Sequence, residues 1–281
     1  MEFADACRFF DDQPVLDGYS GALLFYGQPD LFDATERDSE TGWRRTLSAA
    51  ALTFPTRSCV QIGTDRFIAG RSVKDYFQGA KVREHMLLHP VDYLVTASHP
   101  AGFLGATGSF TLYAGMSWLK ERKEEARTSE AFSVYDIYCS TTEAIVPGML
   151  IKTPAGVYLR VQGIDQRSGG LLVLISQELG ADAQRSVSYI VAGTYDPATD
   201  SSGASAPIAV AAFVEPFVTN YNYMTNGATP YEKADRVVTV RSATITAPKP
   251  GDTLVDQSLT FRVLERQSDG NGCWELHVRP V

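Results

Sequence analysis

Four histidines are the first residues to weigh for chemistry: His85, His89, His99 and His277. In REHMLLHP, His85 and His89 stand four apart, a spacing that on a helix would put two imidazoles on one face, as a zinc site requires. Glu84 precedes the first of them, so the HExxH pattern is absent, and two ligands make no metal site without a third. The run MLLHPVDYLV reads instead as a strand leaving a barrel, and the histidines read as structural. The stretch DGYSGALL comes close to a nucleophile elbow, but Gly18-Tyr19-Ser20-Gly21 breaks the G-x-S-x-G spacing and no strand-to-helix frame follows. Neither glycine-rich phosphate motif occurs. Acidic pairs such as Asp11/Asp12 and Glu124/Glu125 sit in polar surroundings and read as solvated faces, since glycosidase carboxylates must converge in space. The expectation is no catalytic residue, no cofactor and no metal.

The four cysteines, Cys7, Cys59, Cys139 and Cys273, are far apart and form no CxxC pair, which points to reduced thiols in a cytosolic setting. A different kind of chemistry is suggested by FVTNYNYMTNGATPYEKADR. Tyr221, Tyr223 and Tyr231 lie near Phe213 and Phe217, with Asn and Gly between them. Such a stretch is either an interface loop, in which tyrosine and asparagine give contact area at modest entropy cost, or core strands with a polar turn. Upstream, Ser201, Ser202 and Gly203 belong to the Ser/Ala/Gly-rich segment 196–207, which has little to bury and is expected to be a mobile loop that orders on assembly.

The elements that must carry these residues are mostly strands. The 281 residues are 44% hydrophobic and 21% charged, enough for one large or two to three small domains. No apolar run reaches the roughly 18 residues of a membrane helix. The beginning, MEFADACRFFDD, lacks the basic and apolar regions of a secretory signal. Glycine and proline are spread evenly, and between them lie short runs such as SCVQIG, GVYLRV, SVSYIVAG, RVVTVR, LTFRVL and CWELHV, which have strand composition. Two helices are expected, one over SWLKERKEEARTSE, capped by Ser117 and supported by the Lys120/Glu124 pair, and one over TGWRRTLSAAALTF, where Trp43, Leu47 and Ala51 share a face. The net charge of −8 argues against general nucleic-acid binding, while a surface past which DNA slides without sticking remains compatible with it.

One unit recurs. At the end of the chain Pro250-Gly251 opens it, LVDQSLTFRV leads to Arg262-Val263, and Gly272 follows ten residues after Arg262, before CWELHVRPV. In the middle, Pro147-Gly148 opens it, MLIKTPAGVYLRV leads to Arg160-Val161, and Gly170 again follows ten residues after the arginine. Leu259, Phe261 and Val263 alternate along one strand and Trp274, Leu276 and Val278 along the next, so each trio shares a face. Val157, Leu159 and Val161 do the same in the middle copy. A weaker third copy runs through CVQIGTDRFIAGRSVKDYFQGAKVREHMLLHPV. Because a lone hairpin is marginal in water, the unit should close into a small barrel of about five short strands. The expected fold is therefore mainly β, with two or three small SH3-like barrel or meander units and minor helices. The expected divisions are a mixed β domain with a degenerate barrel over 1–128, a small barrel over 129–182 and a terminal barrel over 183–281.

The terminal stretch resembles the small β-barrels of tailed-phage head-tail connector and head-closure proteins. The residues that carry the resemblance are Pro250, Gly251, Asp252, Phe261, Val263, Gly272 and the Trp274 strand, with DRFIAGRSVKDYFQG as a looser match. Such connectors are usually a single barrel, so two or three units in one chain depart from the family. The resemblance implies a structural virion protein made in the host cytoplasm. It would join a ring with other copies of itself, meet portal or adaptor and tail proteins, touch passing DNA only passively, and have no enzymatic activity. A tail or baseplate subunit and a ligand-binding β module are the alternatives.

Overall fold

A computed structural model describes residues 13–30, 45–49, 59–77, 80–118, 134–140, 144–166, 172–180, 182–193, 195–196, 198, 201–203, 205–216 and 234–281. They form three closed barrels of six antiparallel strands and one two-stranded ribbon. The first barrel uses β1 (Gln13–Asp17), β2 (Leu23–Asp30), β3 (Arg45–Ala49), β4 (Cys59–Ile62), β5 (Asp65–Phe77) and β6 (Ala80–Pro90). The second uses β7 (Tyr93–Ser98), β8 (Phe110–Trp118), β9 (Val134–Ser140), β10 (Leu150–Lys152), β11 (Tyr158–Gln166) and β12 (Leu172–Gly180). The third uses β13 (Gln184–Ile190), β16 (Ile208–Pro216), β17 (Arg236–Arg241), β18 (Thr253–Asp256), β19 (Leu259–Ser268) and β20 (Cys273–Pro280). Between β13 and β16 runs the ribbon of β14 (Tyr195–Asp196) and β15 (Ser201–Ser202).

All three barrels share one plan. The first three strands form a meander, the next three form another, the third pairs with the sixth, and the first pairs with the fourth to close the circle. The recurring sequence unit is the second of these meanders. Its opening turn is superimposable in hydrogen bonding. In the second barrel the Gly148 amide donates to the Val161 carbonyl (2.7 Å) and the Val161 amide to the Met149 carbonyl (2.9 Å). In the third the Gly251 amide donates to the Val263 carbonyl and the Val263 amide to the Asp252 carbonyl, both at 2.8 Å. Both glycines have φ in the left-handed region, +90° and +95°. The weaker copy is in register too, for Phe67 stands opposite Val60 and Pro90 where Phe261 stands opposite Leu254 and Pro280. Six strands rather than five complete each barrel, because the first meander, which the repeat does not reveal, supplies half of the wall.

The glycine pair gives a direct test. Gly148→Ala and Gly251→Ala should each cost about 1–2 kcal/mol, the penalty of a left-handed backbone with a Cβ. Urea unfolding should show the two losses equal within experimental error. Unequal losses would mean that the two turns are alike in sequence only.

The alternating residues fill the barrels as their period demands. Phe261, Val263, Leu276 and Val278 are buried with Val187, Tyr189 and Val238, with Trp274 packed at the edge. Leu159 and Val161 join Ile137, Ile151 and Leu174 in the second core. Val15, Val60, Phe67 and Leu88 belong to the first. Leu259 is the exception, 55% exposed where β19 begins.

The described parts of the two expected helices, residues 45–49 and 117–118, are strands, and the rest of both lies outside the described residues. Residues 45–49 are β3, paired with β2 and β6, so barrel closure overrides a helical spacing that is only two turns long. Ser117, expected as a cap, lies in β8 instead, and residues 119–133 lie outside the described residues. The helix among the described residues is α1 (Pro100–Phe103), with His99 at its N-cap. The chain divides into two compact units, 1–97 with 110–178, and 98–109 with 179–281. The boundary expected after residue 128 thus falls between β8 and β9, neighbours in the second barrel.

Candidate functional site

The turn that resembles a nucleophile elbow is a hairpin turn joining β1 to β2. The Asp17 carboxylate accepts hydrogen bonds from the Tyr19 amide (3.1 Å), the Ser20 amide (2.7 Å) and the Ser20 hydroxyl (2.8 Å). The hydrogen bond from the Ser20 amide holds this carboxyl below its usual range. Ser20 is thereby engaged inside its own turn. The residue of the stretch that reaches across is its neighbour. Tyr19 reaches into the second barrel, where its hydroxyl donates to the Ser140 carbonyl (2.6 Å) and accepts from the Tyr113 amide (3.1 Å). Its ring lies 4.8 Å from that of Tyr113. Burial raises the Tyr19 hydroxyl above its usual range. Gly18 is packed against Cys59, and a Cβ there would collide with the Cys59 side chain.

Arg66 completes this seam. Its Nε donates to the Gly18 carbonyl (3.1 Å) and its guanidinium lies 5.0 Å from the centre of the Tyr113 ring. The linker between the first two barrels is fixed alongside by the Val91 amide on the Arg66 carbonyl and the Asp92 amide on the Ala114 carbonyl, both at 3.0 Å. Beside the linker lies a groove of about 890 Å³ lined by Asp65, Arg66, Asp92, Tyr93, Leu94 and Tyr113, among others. Tyr93 and Leu94 are 44% and 49% exposed in it. Below the groove Ile68 and Tyr138 are buried together, and the His89 ring stacks on Tyr138 at 5.8 Å.

Tyr19→Phe isolates the bridging hydroxyl. It leaves the Ser140 carbonyl and the Tyr113 amide without that partner at the same ring packing, so a loss of about 1–2 kcal/mol is expected. Faster hydrogen exchange at the Tyr113 amide is the specific readout, and unchanged exchange would refute the bridging role.

The third barrel carries three buried acids, Asp252, Asp235 and Asp256. Asp252, 1% exposed, accepts from the Tyr189 hydroxyl, the Lys249 amide (2.7 Å) and the Ala192 amide (2.8 Å). Burial, and next the Asp252 hydrogen bond, raise the Tyr189 hydroxyl far above its usual range. Asp235, fully buried, receives Arg279 through Nε (2.9 Å) and Nη2 (3.0 Å), and His277 through Nε2 (3.1 Å). A carboxylate only accepts, so the neutral imidazole carries its proton on Nε2.

His85 and His89 lie four apart on β6, which separates them by about 13 Å along a strand. Among the described residues no group of three or more His, Cys, Asp or Glu side chains is placed to hold a metal ion. Cys59, Cys139 and Cys273 are buried and in no disulfide, and burial pushes the Cys59 thiol up to about 12.

Of the expected interaction residues, Tyr221, Tyr223 and Tyr231 lie outside the described residues. Ser201 and Ser202 form β15, opposite Asp196 and Tyr195, and Gly203 is exposed beside them. The segment expected as a loop over 196–207 therefore contains one strand of a ribbon. Gly193 stands so close to the Gly203 carbonyl that any side chain there would collide with it.

The described chain is a protein of tandem six-stranded antiparallel barrels that follow one strand order. No family model, curated protein or solved structure matches it. No helix among the described residues is long and apolar enough to cross a membrane.

Proposed function

We propose that this chain is a structural subunit of a tailed-phage virion, a neck or head-tail connector component that assembles in a ring, completes the head and joins the tail. The observation that carries the reading is the Pro250-Gly251-Asp252 turn with the strands that follow it. Asp252 of the connector resemblance binds across the closure of its barrel, to Tyr189 and Ala192, and the same half-barrel recurs twice upstream. Reuse of one rigid module suits a mechanical part that must stack and contact many neighbours around an axis. Its partners are other copies of itself, portal or adaptor proteins and tail proteins, and the reaction it performs is assembly rather than catalysis. The net charge of −8 favours repulsion from DNA passing through the ring.

Immunogold electron microscopy of virions with antibody against this chain tests the reading. Label at the head-tail junction is the expected result. Label at the tail tip would move the chain to the tail or baseplate, and absence of label from all particles would overturn the virion assignment. The groove at Arg66 and Tyr113 favours a second reading, a ligand-binding β module, which that last outcome would leave standing.

A further inference from the structure

The long hairpin of the first barrel, β5 with β6, differs from its counterparts in three respects. Phe67, Leu159 and Phe261 hold one position in the recurring unit, opposite Val60, Ile151 and Leu254. After that position β11 and β19 run on for seven residues, to Gln166 and Ser268, whereas β5 runs on for ten, to Phe77. The second difference is cover. β12 and β20 are flanked from their first residues, Leu172 by Cys139 and Cys273 by Arg241. β6 meets β3 only from Glu84 onward, and β5 meets β4 only as far as Ile68. Between those points the two strands pair with each other alone among the described residues, out to Phe77 opposite Ala80. Residues 80–83 thus carry the hairpin about 13 Å past the wall as an arm. A register shift between Ala69 and Ser72 marks where β5 leaves the wall. The third difference is charge. Residues 69–83 hold Arg71, Lys74, Lys81 and Arg83 against Asp75, a net of +3, while the equivalent spans are neutral over 161–172 and −1 over 263–274. Because the whole chain is −8, everything outside the arm sums to −11.

A strand edge with no neighbour is a template for pairing, and the arm has two of them. Two arms cover each other poorly, because each brings its own +3. The acidic remainder of another copy attracts the arm instead. Tyr76 and Phe77, the last residues of β5, are of the types enriched in buried contacts between proteins. Nucleic acid is the weaker partner, since the −11 of the body would be drawn toward the phosphates along with the arm. An arm on the body of a neighbour joins two different surfaces, and repetition of such a head-to-tail contact closes a ring. We infer that the β5–β6 arm docks on acidic surface of a second copy of this chain and is the contact that links copies head to tail. Self-association as such belongs to the ring reading, on which the assignment rests, and the arm adds the segment that makes the contact.

The test joins sedimentation velocity of the full chain with carbodiimide cross-linking of a mixture of isotopically light and heavy copies. The expected result is association that weakens as salt is added. Cross-links between a light and a heavy copy should join Lys74 or Lys81 to an Asp or Glu outside residues 69–83. The double variant Lys81→Glu with Arg83→Glu should associate about tenfold more weakly, with the melting temperature unchanged. Undiminished association of that variant, or cross-links between copies that leave the arm out, would overturn the assignment while the ring reading stands. A wild-type chain that stays monomeric would overturn it too, and the immunogold label then decides the neck reading separately. Binding of duplex DNA that the double variant loses, with self-association unaffected, would give the arm to nucleic acid instead.

Discussion

Asp252→Ala is expected to cost the third barrel about 3–5 kcal/mol, because it strands buried donors around an empty acceptor position. Three donors converge on this carboxylate, from Tyr189, Lys249 and Ala192. The geometry explains why the loss should be so large. The first and fourth strands of this barrel, β13 and β18, close the circle through only three residue pairs, Ser188 with Val255, Tyr189 with Leu254 and Ile190 with Thr253. Asp252 brackets one end of that closure. Arg185, whose Nε lies 3.0 and 2.9 Å from the two carboxylate oxygens of Asp256, brackets the other. Denaturant unfolding should show the loss. Asp252→Asn, which keeps the shape and one accepting oxygen, should lose less than the alanine variant. A cost below about 1 kcal/mol for Asp252→Ala, the net value of one ordinary hydrogen bond, would show that the turn holds without its carboxylate.

The second large effect is expected at Asp235. Its removal leaves the buried His277 imidazole and the mostly buried Arg279 guanidinium without their shared acceptor, and breaking a buried pair in this way typically costs about 3–5 kcal/mol. A pH series adds a signature that packing loss alone would not produce. In the folded chain burial holds His277 below its ordinary value of 6.5, outweighing the upward pull of the Asp235 charge. The folded state therefore binds this proton less readily than the unfolded one. The contribution is fully present above about 6.5 and is lost as the pH falls from there through the folded value. Stability should decline on acidification over that window, and His277→Gln should flatten the decline. NMR titration of Asp235→Asn should show the His277 value falling further, because the opposing charge is gone. A rise of that value would contradict the arrangement.

The second meander of each barrel is legible in the sequence and the first is hidden. Pro-Gly turns, Arg-Val strands and the Phe67 and Phe261 positions repeat at fixed spacing because a left-handed turn and a period-two core leave few residue choices. Apart from the tight turn between β1 and β2, the strands of the first meanders are joined by long connections, with no turn common to all three. Distance along the chain hides other features in the same way. The segment around Trp43 and Leu47 has an apolar spacing that fits a helix, yet the five residues of β3 complete a barrel wall, and that requirement is set by strands distant in sequence. The elbow-like DGYSG draws the eye to Ser20, while the residue that reaches across is Tyr19. Nothing local marks a tyrosine whose partners, Tyr113 and Ser140, lie 94 and 121 residues away. Arg66 sits inside a segment conspicuous only for its strand pattern, and its partner Gly18 is 48 residues away. Asp252 is visible as part of the Pro-Gly-Asp turn, although only the structure gives it Tyr189 as a partner.

A chain that writes the same half-barrel three times faces a sorting problem while it folds. Any first meander presents edges that any second meander has the shape to meet, and misassembly between look-alike modules is the characteristic failure of repetitive proteins. The buried acids of the third barrel act against this. The position that is Asp252 in the third barrel is Met149 in the second, within an otherwise equivalent turn. A hybrid that closed β13 with the meander of β10 to β12 would set the Tyr189 hydroxyl against a thioether and lose its strong acceptor. It would also leave Arg185 without Asp256. In such a hybrid the polar partners of β13 would go unmet, whereas its own meander supplies both acids.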